Sequence, residues 1–191
     1  RFVGQIAPMK LSRREVVLGT AAFAAAPPAL AAPRRNIKLG FDNFAVRALG
    51  YKAPRLVELA GELKVESLFI TDLDAFESFD KPYLADLRKR ASDAGVQIQL
   101  GTWSICPTST TFKNKWGTAD EHLQLGLRVA KELGSPVLRV ILGNMDDRKT
   151  PGGIKARIAD TVKVLKKNRS RARDAGVKIA MENHAGDMQS H

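Results

Sequence analysis

The chain has 191 residues, of which 44% are hydrophobic and 27% are charged, a composition that is typical of a globular domain and excludes a disordered chain. Its single cysteine, Cys106, excludes an internal disulfide and a cysteine-based zinc site, and we expect a buried structural thiol rather than a nucleophile. The net charge of +11 is compatible with a negatively charged partner, either nucleic acid or an anionic substrate. Much of this charge lies in residues 163–173, however, where a solvated helix face is the favoured explanation.

Residues 9–31 are similar to a twin-arginine export signal. Arg13 and Arg14 precede an apolar region that closes with an Ala-x-Ala motif at Ala31. This region is too short, and too rich in Ala and Pro, for a comfortable membrane span. We therefore expect residues 1–31 to be upstream sequence and a cleaved signal, the protein to be exported to the periplasm, and no stable membrane anchor to remain.

Five apolar runs that are typical of β-strands alternate with helical patterns along the rest of the chain. The predicted strands are residues 37–41, 67–71, 96–100, 137–142 and 177–181. Asp80 opens one helix, and Thr118 with Glu121 forms a capping box that opens another. The tetrapeptide Asp-Ala-Gly-Val precedes a strand at Asp93 and again at Asp174, which indicates an internal αβ repeat.

The alternation within the strands predicts the architecture. In the first, third and fifth strands the large apolar residues share one face, and the other face is too polar to carry a second layer of helices. Such a face suits the lumen of a barrel, and the absence of a glycine-rich phosphate motif after the first strand disfavours a Rossmann fold. We predict an α/β fold, a (β/α)8 TIM barrel truncated after about five βα units, because a full barrel needs about 250 residues. This partial barrel domain comprises residues 32–191.

Polar side chains follow the predicted strands at their carboxyl ends, where ligands bind in α/β proteins. They are Asp42 and Asn43, Asp72 and Asp74, Thr102 and Trp103, Gly143 and Asn144, and Glu182, Asn183 and His184. Carboxylates and an imidazole that converge there fit a divalent Mn, Mg, Co or Zn ion. Asp and Asn also cap helices, so every residue of this set except Glu182 has an equally good structural explanation. Arg139 lies within the fourth strand, where a guanidinium needs an anion, either a neighbouring carboxylate or a substrate phosphate.

Four segments carry a family resemblance: LGFDNFAVRALG, GTWSICPTS, VLRVILGN and KIAMENHAGDMQS. Through them the chain resembles the sugar phosphate isomerase/epimerase group of xylose isomerase-like TIM barrels over residues 37–190. The resemblance implies an isomerase or epimerase in which Glu182 binds the metal and moves a proton through an enediolate between neighbouring carbons. We assign catalysis to Glu182 and His184. Substrate contacts are assigned to Asp42, Asp72, Trp103, Arg139 and Asn183.

Members of this family take their other metal ligands from later strands, and the sequence closes at His191 before those positions. We therefore expect an N-terminal fragment that is inactive alone, from a protein whose partner is a small sugar or sugar phosphate. Two alternatives belong to other classes: a metal-dependent endonuclease acting at abasic DNA sites, which shares the barrel, and a non-catalytic exported sugar-binding barrel. Export and an acidic rim disfavour nucleic acid as a partner.

Overall fold

The computed structural model describes residues 37–182, and the predicted signal over residues 1–31 lies outside them. The strands are β1 Gly40–Asp42, β2 Ser67–Ile70, β3 Gln97–Ser104, β4 Val137–Ile141 and β5 Lys178–Met181. The α-helices are α1 Ala53–Glu62, α2 Lys81–Asp93, α3 Ala119–Leu133 and α4 Gly153–Ala175. Short 3₁₀ helices cover Asn43–Leu49, Leu73–Ala75, Asn114–Trp116 and Met145–Lys149.

The strands form one parallel sheet in the order β1-β2-β3-β4-β5. Each strand pairs with its neighbour in the chain, so the strand order never reverses as it does in a doubly wound sheet. An α-helix or helical segment connects every consecutive pair, as a parallel crossover requires. This arrangement confirms the prediction of a truncated TIM barrel.

The sheet has one face covered by helices and one face that we call the lumen face. Leu68, Ile98 and Leu138 are fully or almost fully buried against the helices, and burial of each such side chain stabilises the fold by about 1.5–3 kcal/mol. The predicted apolar helix positions are buried as well, namely Leu84, Leu87, Ala91, Leu123, Leu127 and Ala130. The strand registers place the alternate residues on the lumen face, among them Asp42, Phe69, Gly101, Arg139 and Ala180.

Two predicted strand boundaries are wrong by three or more residues. Strand β1 begins at Gly40 rather than at Ile37, and Ile37 and Leu39 are 75% and 70% exposed. The carbonyl of Leu39 still accepts hydrogen bonds from the amides of Glu66 and Ser67. Strand β3 continues to Ser104 beyond its predicted end at residue 100, because its later residues still pair with β4 across a register shift between Gly101 and Ser104. Residues 102 and 103 therefore lie within a strand and not in the loop that follows it.

The predicted helix start at Thr118 is confirmed. The Thr118 hydroxyl accepts a hydrogen bond from the Glu121 amide at 3.3 Å, and the Glu121 carboxylate accepts one from the Thr118 amide at 2.8 Å. This reciprocal pair satisfies amide donors that have no partner inside the helix. Cys106 is buried, as predicted. Within residues 37–182, no helix is both long enough and apolar enough to cross a membrane.

Candidate active site

Glu182 follows β5 directly and lies on the lumen face. Its amide donates a hydrogen bond to the carbonyl of Val140 at 3.0 Å, which extends the parallel ladder by one residue past Met181. Because side chains alternate along a strand, this pairing puts Glu182 on the same face as Ala180 and its partner Arg139. The Glu182 side chain is 33% exposed. Its position directly after the last residue of β5 is the predicted one.

Arg139 contacts Glu182 from the neighbouring strand. Its Nε atom lies 3.0 Å from the Glu182 Oε2 atom, and its side chain is only 13% exposed. The other two guanidinium nitrogens donate hydrogen bonds to the carbonyls of Thr102 at 3.0 Å and Thr71 at 3.1 Å. The guanidinium carbon also lies 5.1 Å from the centre of the Phe69 ring, a distance at which a cation and an aromatic face attract each other. Of the two anions considered for Arg139, the structure shows the neighbouring carboxylate.

Asp42 and Asp72 both act as helix caps at the ends of their strands. The Asp42 carboxylate accepts a hydrogen bond from the amide of Ala45 at 3.0 Å, and the Asp72 carboxylate accepts one from the amide of Asp74 at 3.2 Å. Burial raises the pKa of the Asp72 carboxyl group, although the Asp74 amide acts in the opposite direction. The structural explanation is thus realised for both residues, and their contacts with substrate stay predictions.

Trp103 lies within β3, at the register shift between Gly101 and Ser104, and is half-buried. Its indole N–H donates a hydrogen bond to the carbonyl of Thr111 at 3.1 Å, and the ammonium group of Lys113 lies 5.6 Å from the ring centre. Trp103 therefore fastens the loop that follows β3 back onto its own strand. Its polar edge is used within the protein, and a stacking contact with a sugar ring stays a prediction.

The described residues offer limited material for a metal site. Within residues 37–182, no group of three or more His, Cys, Asp or Glu side chains is arranged to hold a metal ion. Glu182 is a hard oxygen donor of the kind that divalent cations prefer, but structural and catalytic metals take three or more protein or solvent ligands. Asn183 and His184 lie outside the described residues. The described chain is therefore suited to contribute one ligand and does not form a complete metal site.

Two buried polar contacts near the strand ends were not predicted from the sequence. Asp147 is fully buried and accepts hydrogen bonds from the Ser109 hydroxyl at 2.7 Å, the Thr110 amide at 2.7 Å and the Asn144 amide at 2.9 Å. It joins the loop after β3 to the loop after β4. The spacing of Asn144 and Asp147 is that of a capping box, which was the available signal. The second contact joins His122 to Thr102.

Comparisons with known proteins agree with this geometry. A family model described as the xylose isomerase-like TIM barrel matches residues 45–190. No curated protein matches the chain. The chain is similar to the structure of D-psicose 3-epimerase in the presence of D-fructose, with a TM-score of 0.56 and 16% identity over 78% of this chain and 55% of that one.

Two further solved structures are similar. The IolI protein with a bound zinc atom has a TM-score of 0.55 and 17% identity over 80% of this chain and 54% of that one. D-psicose 3-epimerase with D-tagatose from Clostridium cellulolyticum has a TM-score of 0.50 and 14% identity over 75% of this chain and 51% of that one. At these identities the similarity shows the fold, and the chain spans about half the length of the solved structures it matches.

Proposed function

Because the chain belongs to the xylose isomerase-like TIM barrel family, we propose that it is part of a sugar isomerase or epimerase in which Glu182 is a metal ligand and a proton-transfer group. The observation that carries this proposal is the position of Glu182. It is a carboxylate at the carboxyl end of a barrel strand, on the lumen face, and fixed by an ion pair 3.0 Å long with Arg139. Catalytic residues of TIM barrels come from such strand ends.

The chemistry requires a proton to leave and return at a sugar carbon next to a carbonyl group. A divalent cation, when bound, supplies polarisation of the sugar carbonyl and its neighbouring hydroxyl. In this proposal Glu182 would hold the cation at the rim and accept or return the proton, since a positioned carboxylate is a common general base. Isomerisation or epimerisation then depends on the carbon, or the face of the carbon, to which the proton returns.

The remaining assigned residues have supporting parts in this proposal. Asp42, Asp72 and Trp103 lie at or near the carboxyl ends of their strands, where polar and aromatic groups bind and orient a sugar. Asn183 and His184 follow Glu182 directly in the sequence, and we propose that they contact substrate or support the metal ligand. Two of the similar structures were determined with D-fructose and with D-tagatose, and a ketose is therefore the first substrate to test.

The distribution of charge supports a sugar over nucleic acid. Two lysines on the loops at the strand ends are paired with acidic neighbours, Lys115 with Asp74 and Lys149 with Asp146 at 2.9 Å. The long basic run belongs to α4, where Lys166 and its neighbours are exposed on an outer helix. A protein that binds a phosphate backbone instead concentrates its cations at the binding surface.

Proton exchange into a ketose tests the proposal. The full-length protein, loaded with Mn²⁺, is incubated in heavy water with D-fructose, D-tagatose or D-fructose 6-phosphate, and NMR follows the protons next to the carbonyl. We expect exchange with at least one of these ketoses, and we expect Glu182→Gln to abolish it. Glu58→Gln is the matched control, since Glu58 is an exposed carboxylate on α1 that makes only long ion pairs.

The results separate the remaining functional classes. A full-length protein that binds a ketose but exchanges none of its protons is a sugar-binding barrel and contradicts the proposal. Cleavage of DNA at an abasic site, without exchange of any ketose proton, assigns the protein to the endonuclease class. Equal exchange by the wild type and Glu182→Gln removes Glu182 from the reaction.

A further inference from the structure

We propose that Arg139 is a positioning residue that holds the Glu182 carboxylate in a single orientation at the rim of the lumen. The inference rests on the proposed function of Glu182 and adds a second residue to that site. It differs from the assignment of Arg139 to substrate, because here Arg139 acts on the reaction only through Glu182.

The guanidinium of Arg139 contacts three other strands or strand ends. One nitrogen donates to the carbonyl of Thr71 after β2, one donates to the carbonyl of Thr102 in β3, and the third faces Glu182 after β5. A guanidinium is planar, and its N–H groups form a rigid fork. With its two terminal nitrogens held by backbone carbonyls, the guanidinium has a fixed position, and its Nε atom stays 3.0 Å from the Glu182 Oε2 atom.

The neighbouring residues leave just enough space for the Arg139 side chain on the lumen face. Phe69 lies under the guanidinium, and Gly101 lies beside it on the adjacent strand. A Cβ atom at residue 101 would lie 2.9 Å from the Thr71 oxygen, which is closer than real Cβ contacts, and 3.1 Å from the Arg139 Nε atom, which is tighter than most of them. Glycine is thus the residue that lets Arg139 cross the face of the sheet, which is a common reason for glycine inside a strand.

An anionic substrate would have to displace these contacts. Each of the three Arg139 nitrogens already lies within 3.1 Å of a protein oxygen, and the side chain is 13% exposed. Glu182, in contrast, is 33% exposed and follows the last residue of β5 that is paired with β4. Without Arg139 its flexible side chain would sample several rotamers, so the contact restrains the more mobile of the two partners.

Metal titration of full-length variants tests the proposal. Loss of a residue that orients a metal ligand typically weakens metal affinity about 10-fold to 100-fold. We expect that loss for Mn²⁺ in Arg139→Met, measured by calorimetry on protein shown to be folded by circular dichroism. Arg139→Lys should give an intermediate loss, because one ammonium group is able to contact Glu182 but not to bridge both carbonyls. The matched control is Arg128→Met, which removes an exposed arginine that also donates to a backbone carbonyl, at 2.8 Å.

The variants distinguish failure of this inference from failure of the proposed function. If Glu182→Gln loses Mn²⁺ while Arg139→Lys and every folded Arg139→Met sample bind it as tightly as the wild type, Arg139 is only structural and the inference is overturned. If Glu182→Gln itself keeps the wild-type affinity, the proposed function is overturned and the premise falls with it. Arg139→Lys keeps the charge and so provides the test should Arg139→Met fail to fold.

Discussion

The Nε2 atom of His122 and the hydroxyl oxygen of Thr102 lie 2.6 Å apart, and this contact joins α3 to β3 in the buried layer between helices and sheet. His122 is 2% exposed, and its Nδ1 atom is buried without a hydrogen-bond partner among the described residues. Burial lowers the pKa of His122 from 6.5 to about 4. The imidazole is therefore neutral in the folded protein, because protonation would add a second buried N–H donor and a charge.

This burial predicts a loss of stability in mild acid. Between about pH 6.5 and pH 4 the unfolded chain binds a proton on His122 and the folded chain does not, so the free energy of unfolding falls as the pH falls through this window. The loss should be on the order of 3 kcal/mol when complete. Denaturant unfolding of the full-length protein across this range should show it, and His122→Gln should remove most of the slope. An identical pH dependence in the two proteins would contradict the prediction.

The second prediction concerns Asp147, whose hydrogen bonds join the loop after β3 to the loop after β4. Burial by itself raises the pKa of this carboxyl group, but hydrogen bonds from Thr110, Ser109 and Asn144 outweigh it and the net pKa is lowered. Replacement by alanine leaves these donors without their acceptor, so we expect Asp147→Ala to lower the free energy of unfolding by about 3 kcal/mol. The stabilisation is present above the carboxyl group's ordinary pKa of 3.8 and is lost as the pH falls through its lowered value.

The adjacent Asp146 supplies the control for this experiment. It belongs to the same 3₁₀ helix but is 67% exposed, and it pairs with Lys149, which is 82% exposed, at 2.9 Å. We expect Asp146→Ala to change stability by less than about 0.5 kcal/mol. Equal losses of stability in the two variants, measured by thermal or denaturant unfolding, would contradict the prediction. They would show that the loss comes from removing a negative charge from the helix and not from the hydrogen bonds of Asp147.

The fold was predictable from the sequence because its signals are local. Each strand overlaps a predicted apolar run, each helix carries a stripe or a cap, and Glu182 follows its strand directly. The contacts around the site were not predictable, because they join distant positions. Arg139 reaches the carbonyls of Thr71 and Thr102, which are 68 and 37 residues away in the chain. Hydrophobic periodicity relates only positions that are close in the sequence, so it does not predict such contacts.

Helix α4 shows a different limit of the same reasoning. Its apolar residues Ile158 and Val162 are 50% and 39% exposed, whereas the polar Thr161 and Asn168 are buried. The Asn168 side-chain amide donates a hydrogen bond to Asp120 on α3 at 2.8 Å, which satisfies this polar group in its buried position. A single-sequence pattern assumes that the apolar side of a helix faces inward. Here the buried side also carries polar residues, one of them hydrogen-bonded to a neighbouring helix.

Export is predicted from residues that lie outside the described part of the chain. In a bacterium with a twin-arginine pathway, we expect the full gene product to be exported and its mature form to begin at Ala32. Changing Arg13 and Arg14 together to lysine should keep the uncut protein in the cytoplasm. The matched control changes Arg34 and Arg35, a second arginine pair beyond the cleavage point, and should leave export intact. Intact mass measurement on separated cell fractions decides the matter, and uncut wild-type protein in the cytoplasm would refute the signal.

Gly101 gives the last prediction, because it lies between Arg139 and the neighbouring backbone. An added methyl group would lie 2.9 Å from the Thr71 oxygen and 3.1 Å from both the Arg139 Nε atom and the Phe69 ring. The backbone oxygen cannot move without disturbing β2, so we expect Gly101→Ala to lower the free energy of unfolding by about 1–3 kcal/mol, as overpacking does. Ala180→Ser is the control, since Ala180 is paired with Arg139 from the other side and is exposed on β5. Denaturant unfolding compares the two, and a Gly101→Ala protein as stable as the Ala180→Ser protein would mean that the strand has room for a side chain beside Arg139.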